Sequence, residues 1–428
     1  LGEGENFIAS DIPAIIAYTR RTYIMNDGEI AVVKKDSIWV TDRKGNPITK
    51  KVFEVNWNAE AAEKGGYEHF MLKEIHEQPK AVRDTISPRI NKENTQVVLD
   101  ELKWTKEYVE NFNKIYIVAC GTAYHAGLVG KYYIEKLARI PVEIDIASEF
   151  RYRDPIIDEH TLTIVISQSG ETSDTLAALK ESKRLGAKTL AITNVVGSSI
   201  AREADQVMYT WAGPEIAVAS TKAYTTQLVT MFLFAMYVSG LKGTITTERT
   251  HELLTQLRLL PDEINRTLED VEPIKTFAKN YAFNNDVFYI GRSLDYNVAL
   301  EGSLKLKEIS YIHAEAYAAG ELKHGTLALI ESGVPVIALA TQKSVYEKTL
   351  SNIKEVKARD AVMIGIAAED DNELEKYVDH VIKVPATDEL LIPLLTVVPL
   401  QLLAYYAAIT RGCDVDKPRN LAKSVTVE

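Results

Sequence analysis

The chain contains one strand-and-helix pattern twice, and this repeat restricts its fold more than any other feature. The apolar run Ile115–Ala119 leads into Gly121, and a similar run from Val287 leads into Gly291, 170 residues further on. Such alternation of strands and helices is typical of a parallel sheet with helices on both faces. We therefore predict an α/β protein with two tandem doubly wound sheets, in which the other matching segments are Leu162–Ile166 with Val334–Leu339, Thr189–Thr193 with Met363–Ala367, and the helices Thr221–Ser239 with Leu394–Ile409.

A hydroxyl-rich turn follows a strand of the first copy. Ser167-Gln168-Ser169-Gly170-Glu171-Thr172 connects the apolar run Leu162–Ile166 to a predicted helix. The free N–H groups and the dipole at a helix N-terminus favour an anion such as phosphate. The same residues also fit an ordinary N-cap at Thr172 or Ser173. The second copy has Ala340-Thr341-Gln342-Lys343-Ser344 here, so we expect phosphate in the first copy only.

Titratable residues are concentrated in and after one helix of the second copy. Glu301, Lys305 and Glu308 are spaced to form one stripe along a helix. A solvated face with ion pairs would explain the stripe equally well. The segment that follows, His313–Gly325, is polar and punctuated by glycine, and we interpret it as a functional loop in which His324 is an acid–base candidate.

The C-terminal stretch from Asp414 to Glu428 contains a second candidate. Most chain ends fray, but Lys423 could act as an amine nucleophile toward a carbonyl group if it were desolvated in a site. From the residues alone, both interpretations stay open.

Composition excludes several classes of function. The formal net charge is −11 and no run of lysine and arginine stands out, which argues against a nucleic-acid partner. Two cysteines, Cys120 and Cys413, form no disulfide framework and fit a reducing cytosol, so we expect a cytoplasmic protein. The longest apolar stretch, Leu228–Leu241, is too short for a bilayer, so no membrane association is expected.

The segment before the repeat is different in character. Residues 1–65 alternate like short hairpin strands, with turns at Asn26-Asp27-Gly28 and Arg43–Asn46 and a strand in Lys50–Trp57. Residues 66–112 are predicted as linker helices, one over Tyr67–Gln78 that Pro79 interrupts and one amphipathic helix over Asn94–Phe112. The repeat then gives domains at 113–243 and 244–410, and a C-terminal tail at 411–428 follows, which is catalytic if Lys423 is the nucleophile.

Together these residues resemble the isomerase half of the glucosamine-6-phosphate synthase family, the glutamine:fructose-6-phosphate amidotransferases. The resemblance covers essentially the whole chain from Glu68 onward, and residues 1–65 resemble the end of the family's glutaminase domain. It implies that each copy is a sugar isomerase (SIS) domain. The motifs that carry it are Gly4–Asp11, Cys120-Gly121-Thr122, Ser167–Thr172, Val218-Ala219-Ser220-Thr221-Lys222, Leu304–Gly325 and Lys417–Glu428.

The resemblance implies roles for individual residues. Lys423 matches the lysine that forms a Schiff base with the ketone of fructose 6-phosphate. Glu308 matches the base that moves a proton between carbons 1 and 2, and Lys305 the lysine beside it. His324 matches the histidine that assists ring opening across a dimer interface. The residues that match the family's phosphate loop and sugar contacts are Ser167, Gln168, Ser169 and Thr172, and Thr122, Val218, Ser220 and Ala422, respectively.

The family also implies partners. We expect fructose 6-phosphate, glucose 6-phosphate and glucosamine 6-phosphate as ligands, and a homodimer. We expect no metal and no organic cofactor, because the sequence has no clustered His/Cys ligand set and the protein would itself supply the Schiff base.

Two departures from the family pattern modify this expectation. Ala123 replaces a serine that the family often has, so phosphate binding is expected to be weaker or compensated by the remaining donors. The family's N-terminal cysteine nucleophile is not in this sequence, which begins at Leu1, so we expect a fragment or processed product that isomerises the sugar phosphate without hydrolysing glutamine. A related phosphosugar deglycase or isomerase and a non-catalytic sugar-phosphate sensor are the alternatives.

Overall fold

The computed structural model describes residues 1–9, 15, 18–26, 28–54 and 64–427. The chain divides into two compact units, Leu1–Tyr67 and Glu68–Glu428. Some predicted features lie outside the described residues: Ser10, Asp11, Asp27, residues 55–57 of a predicted strand, and Glu428.

The first unit consists of short antiparallel strands, as predicted. Its strands are β1 (Arg21–Thr22), β2 (Ile30–Lys34), β3 (Ser37–Thr41), β4 (Pro47–Ile48) and β5 (Phe53–Glu54), paired as β2-β3-β4 and β1-β5. The predicted turn before β4 is present, and the Asp42 carboxylate stabilises it by accepting the N–H groups of Lys44 at 2.8 Å and Asn46 at 2.9 Å.

The second unit contains two parallel five-stranded sheets. The first has the order β10-β9-β8-β6-β7 and the second the order β12-β11-β13-β14-β15, which is the same topology read from opposite edges. The predicted repeat and fold class are therefore confirmed. The strands are β6 (Lys114–Ala119), β7 (Val142–Ile146), β8 (Thr161–Ser167), β9 (Lys188–Thr193) and β10 (Gln206–Tyr209), then β11 (Asp286–Gly291), β12 (His313–Ala318), β13 (Pro335–Leu339), β14 (Val362–Ala368) and β15 (His380–Val384).

Helices flank both sheets. A π-helical turn, Ile134–Ala138, extends the first long one. The α-helices are α1 (Phe70–His76), α2 (Gln78–Ile86), α3 (Lys106–Glu110), α4 (Gly121–Tyr133), α5 (Ala147–Phe150), α6 (Ser173–Arg184), α7 (Ser199–Glu203), α8 (Lys222–Lys242), α9 (Thr247–Glu269), α10 (Glu272–Tyr281), α11 (Leu294–Ser310), α12 (Tyr346–Lys357) and α13 (Pro393–Thr410).

The two sheets share a hydrophobic core. Ile117 of β6 and Ile337 of β13 belong to the same buried cluster, together with apolar residues of α4, α8, α11 and α13. Their chain neighbours Val118 and Ala338 belong to separate clusters, because successive side chains of a strand point to opposite faces. The packing therefore places both repeats against one common layer of helices.

Two of these helices, α8 and α13, are long and apolar enough to cross a membrane by length and composition alone. In both, 83% of the apolar window is buried inside the protein. They are core helices of the fold, which explains their hydrophobicity without a bilayer.

The prediction of an amphipathic helix over Asn94–Phe112 is wrong. Only α3 is helical in this segment, and Val97 forms a bridge with Ile90 instead. Asn94 and Lys103 have positive φ angles, which end any right-handed helix. Leu99, Leu102 and Trp104 are buried although the chain around them is irregular. Their spacing in sequence happens to match that of apolar residues on one face of a helix.

The prediction of a loop over His313–Gly325 is only partly correct. Its first six residues form the edge strand β12, parallel to β11. The strand was missed because an edge strand buries little of its surface and is therefore not recognisably apolar. The rest forms a short 3₁₀ helix, Glu321–His324.

The strand order locates the place where a ligand is expected. In an open parallel sheet of this order, ligands bind beyond the carboxyl ends of the strands where the direction of winding reverses. In the first sheet that point lies between β6 and β8. Cys120 and Gln168 follow these two strands directly.

Helix packing between the repeats yields a stability prediction. A Cβ added to Gly302 of α11 would lie 2.6 Å from Leu400 Cδ1 of α13, whereas one added to Gly240 of α8 would meet nothing within 4 Å. Gly302→Ala should lower the free energy of unfolding by about 1–3 kcal/mol through overpacking. The control Gly240→Ala should leave it unchanged or raise it by up to about 1 kcal/mol. Denaturant titration measures both, and equal effects would contradict the packing described here.

Candidate active site

A cavity of about 130 Å³ lies at the winding reversal of the first sheet. Its walls come from the end of β8 and the residues after β6 and β8, from the first turns of α4 and α6, from one residue before α8 and one in its second turn, and from the C-terminal tail. The lining residues are Cys120, Thr122, Ala123, Ile166, Ser167, Gln168, Ser169, Thr172, Thr175, Ser220, Gln227 and Lys423. The hydroxyl-rich turn and the tail lysine, more than 250 residues apart in sequence, are thus brought together.

The hydroxyl groups of the turn face one another and do not cap α6. Thr172 occupies the N-cap position, but its side chain makes no capping hydrogen bond. Its Oγ1 lies 2.9 Å from Ser167 Oγ. Gly170 is required in the turn, because its φ of 67° favours glycine and an added Cβ would lie 2.0 Å from Ser198 Oγ. The hydroxyl-bearing residues Ser167, Ser169 and Thr172 therefore line the cavity next to the start of α6.

A buried polar network links the two repeats beside this cavity. Thr122 of α4 donates to Glu301 Oε1 of α11 at 3.0 Å and accepts a hydrogen bond from Lys305 Nζ at 2.9 Å. His125 Nδ1 lies 2.7 Å from Glu301 Oε2. The stripe predicted from the sequence is therefore no solvated face, since Glu301 and Lys305 are fully buried.

Lys305 is held as a cation by two carboxylates. Its Nζ lies 3.4 Å from Glu301 Oε1 and 2.5 Å from Glu308 Oε2. Burial acts to lower the pKa of Lys305, but Glu301 and Glu308 outweigh it and raise that pKa above its ordinary value. Glu308 keeps 21% of its side chain exposed, while its Oε2 is buried.

The C-terminal tail is bound to the body of the protein. Asp416 accepts the first N–H groups of α1, from Phe70 at 3.0 Å and Met71 at 2.9 Å, as an N-cap does. Ser173 N donates to Val425 O at 3.1 Å, which places the tail over the start of α6. These contacts explain why this chain end is ordered around the cavity.

Lys423 has a buried counter-ion. Its Nζ donates to Glu215 Oε2 at 2.5 Å and to Ala217 O at 2.9 Å, and lies 3.5 Å from Ser220 Oγ. Glu215 is completely buried, whereas Lys423 keeps 17% of its side chain exposed. The amine of Lys423 therefore lines the cavity while the buried Glu215 carboxylate balances its charge.

The chain does not place every predicted site residue at the cavity. His324 is exposed at the end of its 3₁₀ helix, and Ala422 is exposed in the tail. Val218 donates its N–H to Asp416 O at 3.0 Å and so supports the tail. None of these three is among the residues that line the cavity, and neither are Lys305 and Glu308, which belong to the buried network beside it.

Sequence reasoning missed several polar residues at the site. Glu301 was noticed only as part of a stripe, while His125, Glu215 and Gln227 were not singled out at all. Gln227 lines the cavity and is buried, and within the described part of the chain its Oε1 has no hydrogen-bond partner. The local signal was weak, because Gln227 is one of several polar residues in the first turns of α8.

Comparisons with known proteins show which family and fold the chain shares. The SIS domain family model matches residues 109–237 and 282–411. The chain is 63% identical to a glutamine–fructose-6-phosphate aminotransferase (isomerizing) of Caldanaerobacter subterraneus subsp. tengcongensis, covering all of this chain and 70% of that protein.

Solved structures show the same similarity. The C-terminal domain of glucosamine-fructose-6-phosphate aminotransferase from Francisella tularensis superimposes with a TM-score of 0.79 at 42% identity, covering 83% of this chain and all of that one. A glucosamine-6-phosphate deaminase from Thermotoga maritima superimposes with a TM-score of 0.63 at 25% identity, covering 83% and 99%.

The buried network predicts strong coupling between two substitutions. Lys305→Met leaves Glu301 as a buried carboxylate without its cation and should lower the free energy of unfolding by about 3–5 kcal/mol at neutral pH. The double variant Lys305→Met/Glu301→Gln should recover a large part of this loss, because the unpaired charge is gone. Denaturant unfolding of the parent, both single variants and the double variant completes the cycle. Additive effects would show that the two residues are not coupled.

Proposed function

The chain belongs to the glutamine–fructose-6-phosphate aminotransferase (isomerizing) family, and from this we propose that it forms the sugar-phosphate half of such an enzyme. This half would convert fructose 6-phosphate and ammonia to glucosamine 6-phosphate. The observation that carries the proposal is the meeting of Lys423 with the hydroxyl turn Ser167–Thr172 in one cavity.

The hydroxyl turn is proposed to bind the phosphate group. Ser167, Ser169 and Thr172 offer hydroxyl donors, Gln168 an amide, and α6 its N-terminal dipole. Because the chain carries a net charge of −11, these local donors have to overcome a repulsive overall field. Neutral donors at a helix N-terminus do this without attracting other anions over a wide surface.

Lys423 is proposed to form a Schiff base with the ketone at carbon 2. The resulting iminium acidifies the proton at carbon 1. Ammonia then displaces the Lys423 amine from carbon 2, which leaves an imine that carries the ammonia nitrogen and a free lysine. Glu308 moves the carbon 1 proton to carbon 2, which gives glucosamine 6-phosphate. Lys305 holds Glu308 in place through their ion pair of 2.5 Å. Thr122 and Ser220, which line the cavity, would bind the sugar hydroxyls. Val218, whose N–H donates to Asp416 O of the tail, and Ala422, the neighbour of Lys423, are proposed as further sugar contacts.

The proposal includes a second subunit. His324 is exposed and away from the cavity of its own chain, which suits ring opening in the site of a partner in a homodimer. A cytoplasmic location is proposed with it, since the substrates are phosphorylated sugars.

One comparison favours a second candidate reaction. The similar Thermotoga maritima structure is named a glucosamine-6-phosphate deaminase, so release of ammonia from an amino-sugar phosphate is the alternative. Product analysis separates the two, because the deaminase interpretation predicts net formation of fructose 6-phosphate without use of ammonia.

Isomerisation tests the proposed catalytic residues. The parent chain should interconvert fructose 6-phosphate and glucose 6-phosphate, while Lys423→Ala and Glu308→Gln should each lower kcat by roughly 100-fold or more because nucleophile or base is lost. The exposed tail lysine Lys417 provides a matched control, and Lys417→Ala should behave as the parent. A parent that binds glucose 6-phosphate without turnover would support a sensor, and full activity in both variants would refute the residue roles.

The phosphate turn yields a separate prediction about affinity. Thr172→Val removes a hydroxyl without changing shape and should raise KM for fructose 6-phosphate about tenfold or more, since a hydrogen bond to a charged group contributes about 1.5–3 kcal/mol. Ala123→Ser adds a hydroxyl to the same cavity and should lower KM. Steady-state kinetics measures both. If neither variant changes KM, the phosphate binds elsewhere.

A further inference from the structure

We propose that Glu215 is the acid–base partner of Lys423: its carboxylate accepts a proton from the Lys423 ammonium before the amine attacks the ketone, and gives it up again when water leaves. This inference rests on the proposed function and adds to it a residue that the sequence did not indicate. Because Glu215 contacts the reacting nitrogen itself, it would be a catalytic residue and not only a support.

The geometry provides a direct path for the proton. Lys423 Nζ donates to Glu215 Oε2 at 2.5 Å, and Ser220 Oγ donates to the same oxygen at 2.7 Å. Ser220 also lines the cavity. The carboxylate oxygen is therefore linked to the nucleophile on one side and, through one hydroxyl, to the space for the substrate on the other.

The rest of the carboxylate is fixed by the protein. Its other oxygen, Oε1, accepts the N–H groups of Thr221 at 2.9 Å and Ala223 at 3.0 Å at the start of α8. Glu215 thus caps the helix and is stabilised as an anion by the helix dipole. Burial acts to raise its pKa, but Lys423 and these backbone donors outweigh burial and lower the pKa of Glu215 to about 2.

A second buried carboxyl group, Glu74 of α1, lies behind Glu215. Glu74 Oε1 accepts the N–H of Ile216 at 2.5 Å, while Oε2 has no partner within the described residues. Burial and the neighbouring carboxylate of Glu215 raise the pKa of Glu74 to about 8. Near pH 7 Glu74 is therefore protonated, and Glu215 alone balances the charge of Lys423.

Other charged groups face this pair from neighbouring elements. Lys222 of α8 forms its own ion pair with Glu77 at 2.6 Å, and Lys305 of α11 acts on Glu215 over a longer distance. Glu301 and Glu308 raise the pKa of Lys305 above its ordinary value, so Lys305 stays protonated. Of these lysines only Lys423 lines the cavity, so its proton is the one that the proposal moves.

The proposed step balances in atoms and charge. The ammonium of Lys423 gives one proton to Glu215, and the neutral amine forms a C–N bond at carbon 2 of the open-chain ketose. The Glu215 proton then passes through Ser220 to the hydroxyl at carbon 2, which leaves as water while the iminium forms. The ammonium and the ketone are consumed, the iminium and water are produced, and Glu215 ends as it began.

The pH dependence of adduct formation in the parent chain tests this without any variant. The parent is mixed with fructose 6-phosphate and quenched with borohydride, and the reduced adduct on Lys423 is followed by mass spectrometry between pH 5.5 and about 7, below the pKa of about 8 of Glu74. The proposal predicts a rate constant that is independent of pH, because Glu215 removes the proton within the site. A tenfold rise per pH unit would overturn it, since the amine would then be deprotonated by solvent. Absence of any Lys423 adduct would instead refute the proposed function.

Two matched variants complete the test. Glu215→Gln should lower kcat about 100-fold or more with KM within about threefold, and its rate of adduct formation should rise with pH, because solvent then has to remove the proton. Glu77→Gln breaks the neighbouring Lys222 ion pair without touching Lys423 and should keep the activity and pH profile of the parent. A Glu215→Gln variant that binds glucose 6-phosphate and keeps the pH profile of the parent would assign Glu215 a structural role only. If that variant does not fold, the parent experiment decides.

Discussion

A single buried lysine joins the two repeats into one site. Lys305 is 1% exposed and contacts Glu301, Glu308 and Thr122, the last of which belongs to the other repeat. A buried cation is tolerated only if its partners satisfy it completely. The helices α4 and α11 therefore have little freedom to move apart, and the cavity beside Thr122 takes its shape from this constraint.

The two repeats have the same topology, but they differ in what lies beyond the carboxyl end of their third strand. After β8 the first repeat leaves the hydroxyls of Ser167 and Thr172 and the N-terminus of α6 facing a cavity. After β13 the second repeat fills the corresponding place with its own anion, since Asp295 accepts the N–H groups of Thr341 at 2.8 Å and Gln342 at 3.3 Å. An internal carboxylate gives a physical reason to expect an external phosphate in the first repeat only.

The sequence was sufficient for those parts of the fold in which local pattern and burial agree. The central strands β6, β8, β11 and β13 are buried on both faces, so their apolar runs were recognised within a residue or two. The segment Asn94–Phe112 was wrongly predicted as a helix. Its irregular chain buries Leu99 and Leu102, whose spacing in sequence also fits one face of a helix.

For the site, the turn Ser167–Thr172 was visible because its residues are adjacent in sequence. Glu215 was not visible, because nothing near it in sequence suggests a contact with Lys423, which lies 208 residues away. Residues that act across long separations become recognisable only when the fold is known, and this holds equally for His125 with Glu301.

The most direct test of the account is a crystal structure of the chain with glucose 6-phosphate bound. The account predicts the phosphate group between Ser167 and Thr172 at the N-terminus of α6, with carbons 1 and 2 of the sugar facing Lys423 and Glu308. A phosphate bound beyond the second sheet, or a sugar whose carbon 2 points away from Lys423, would contradict it.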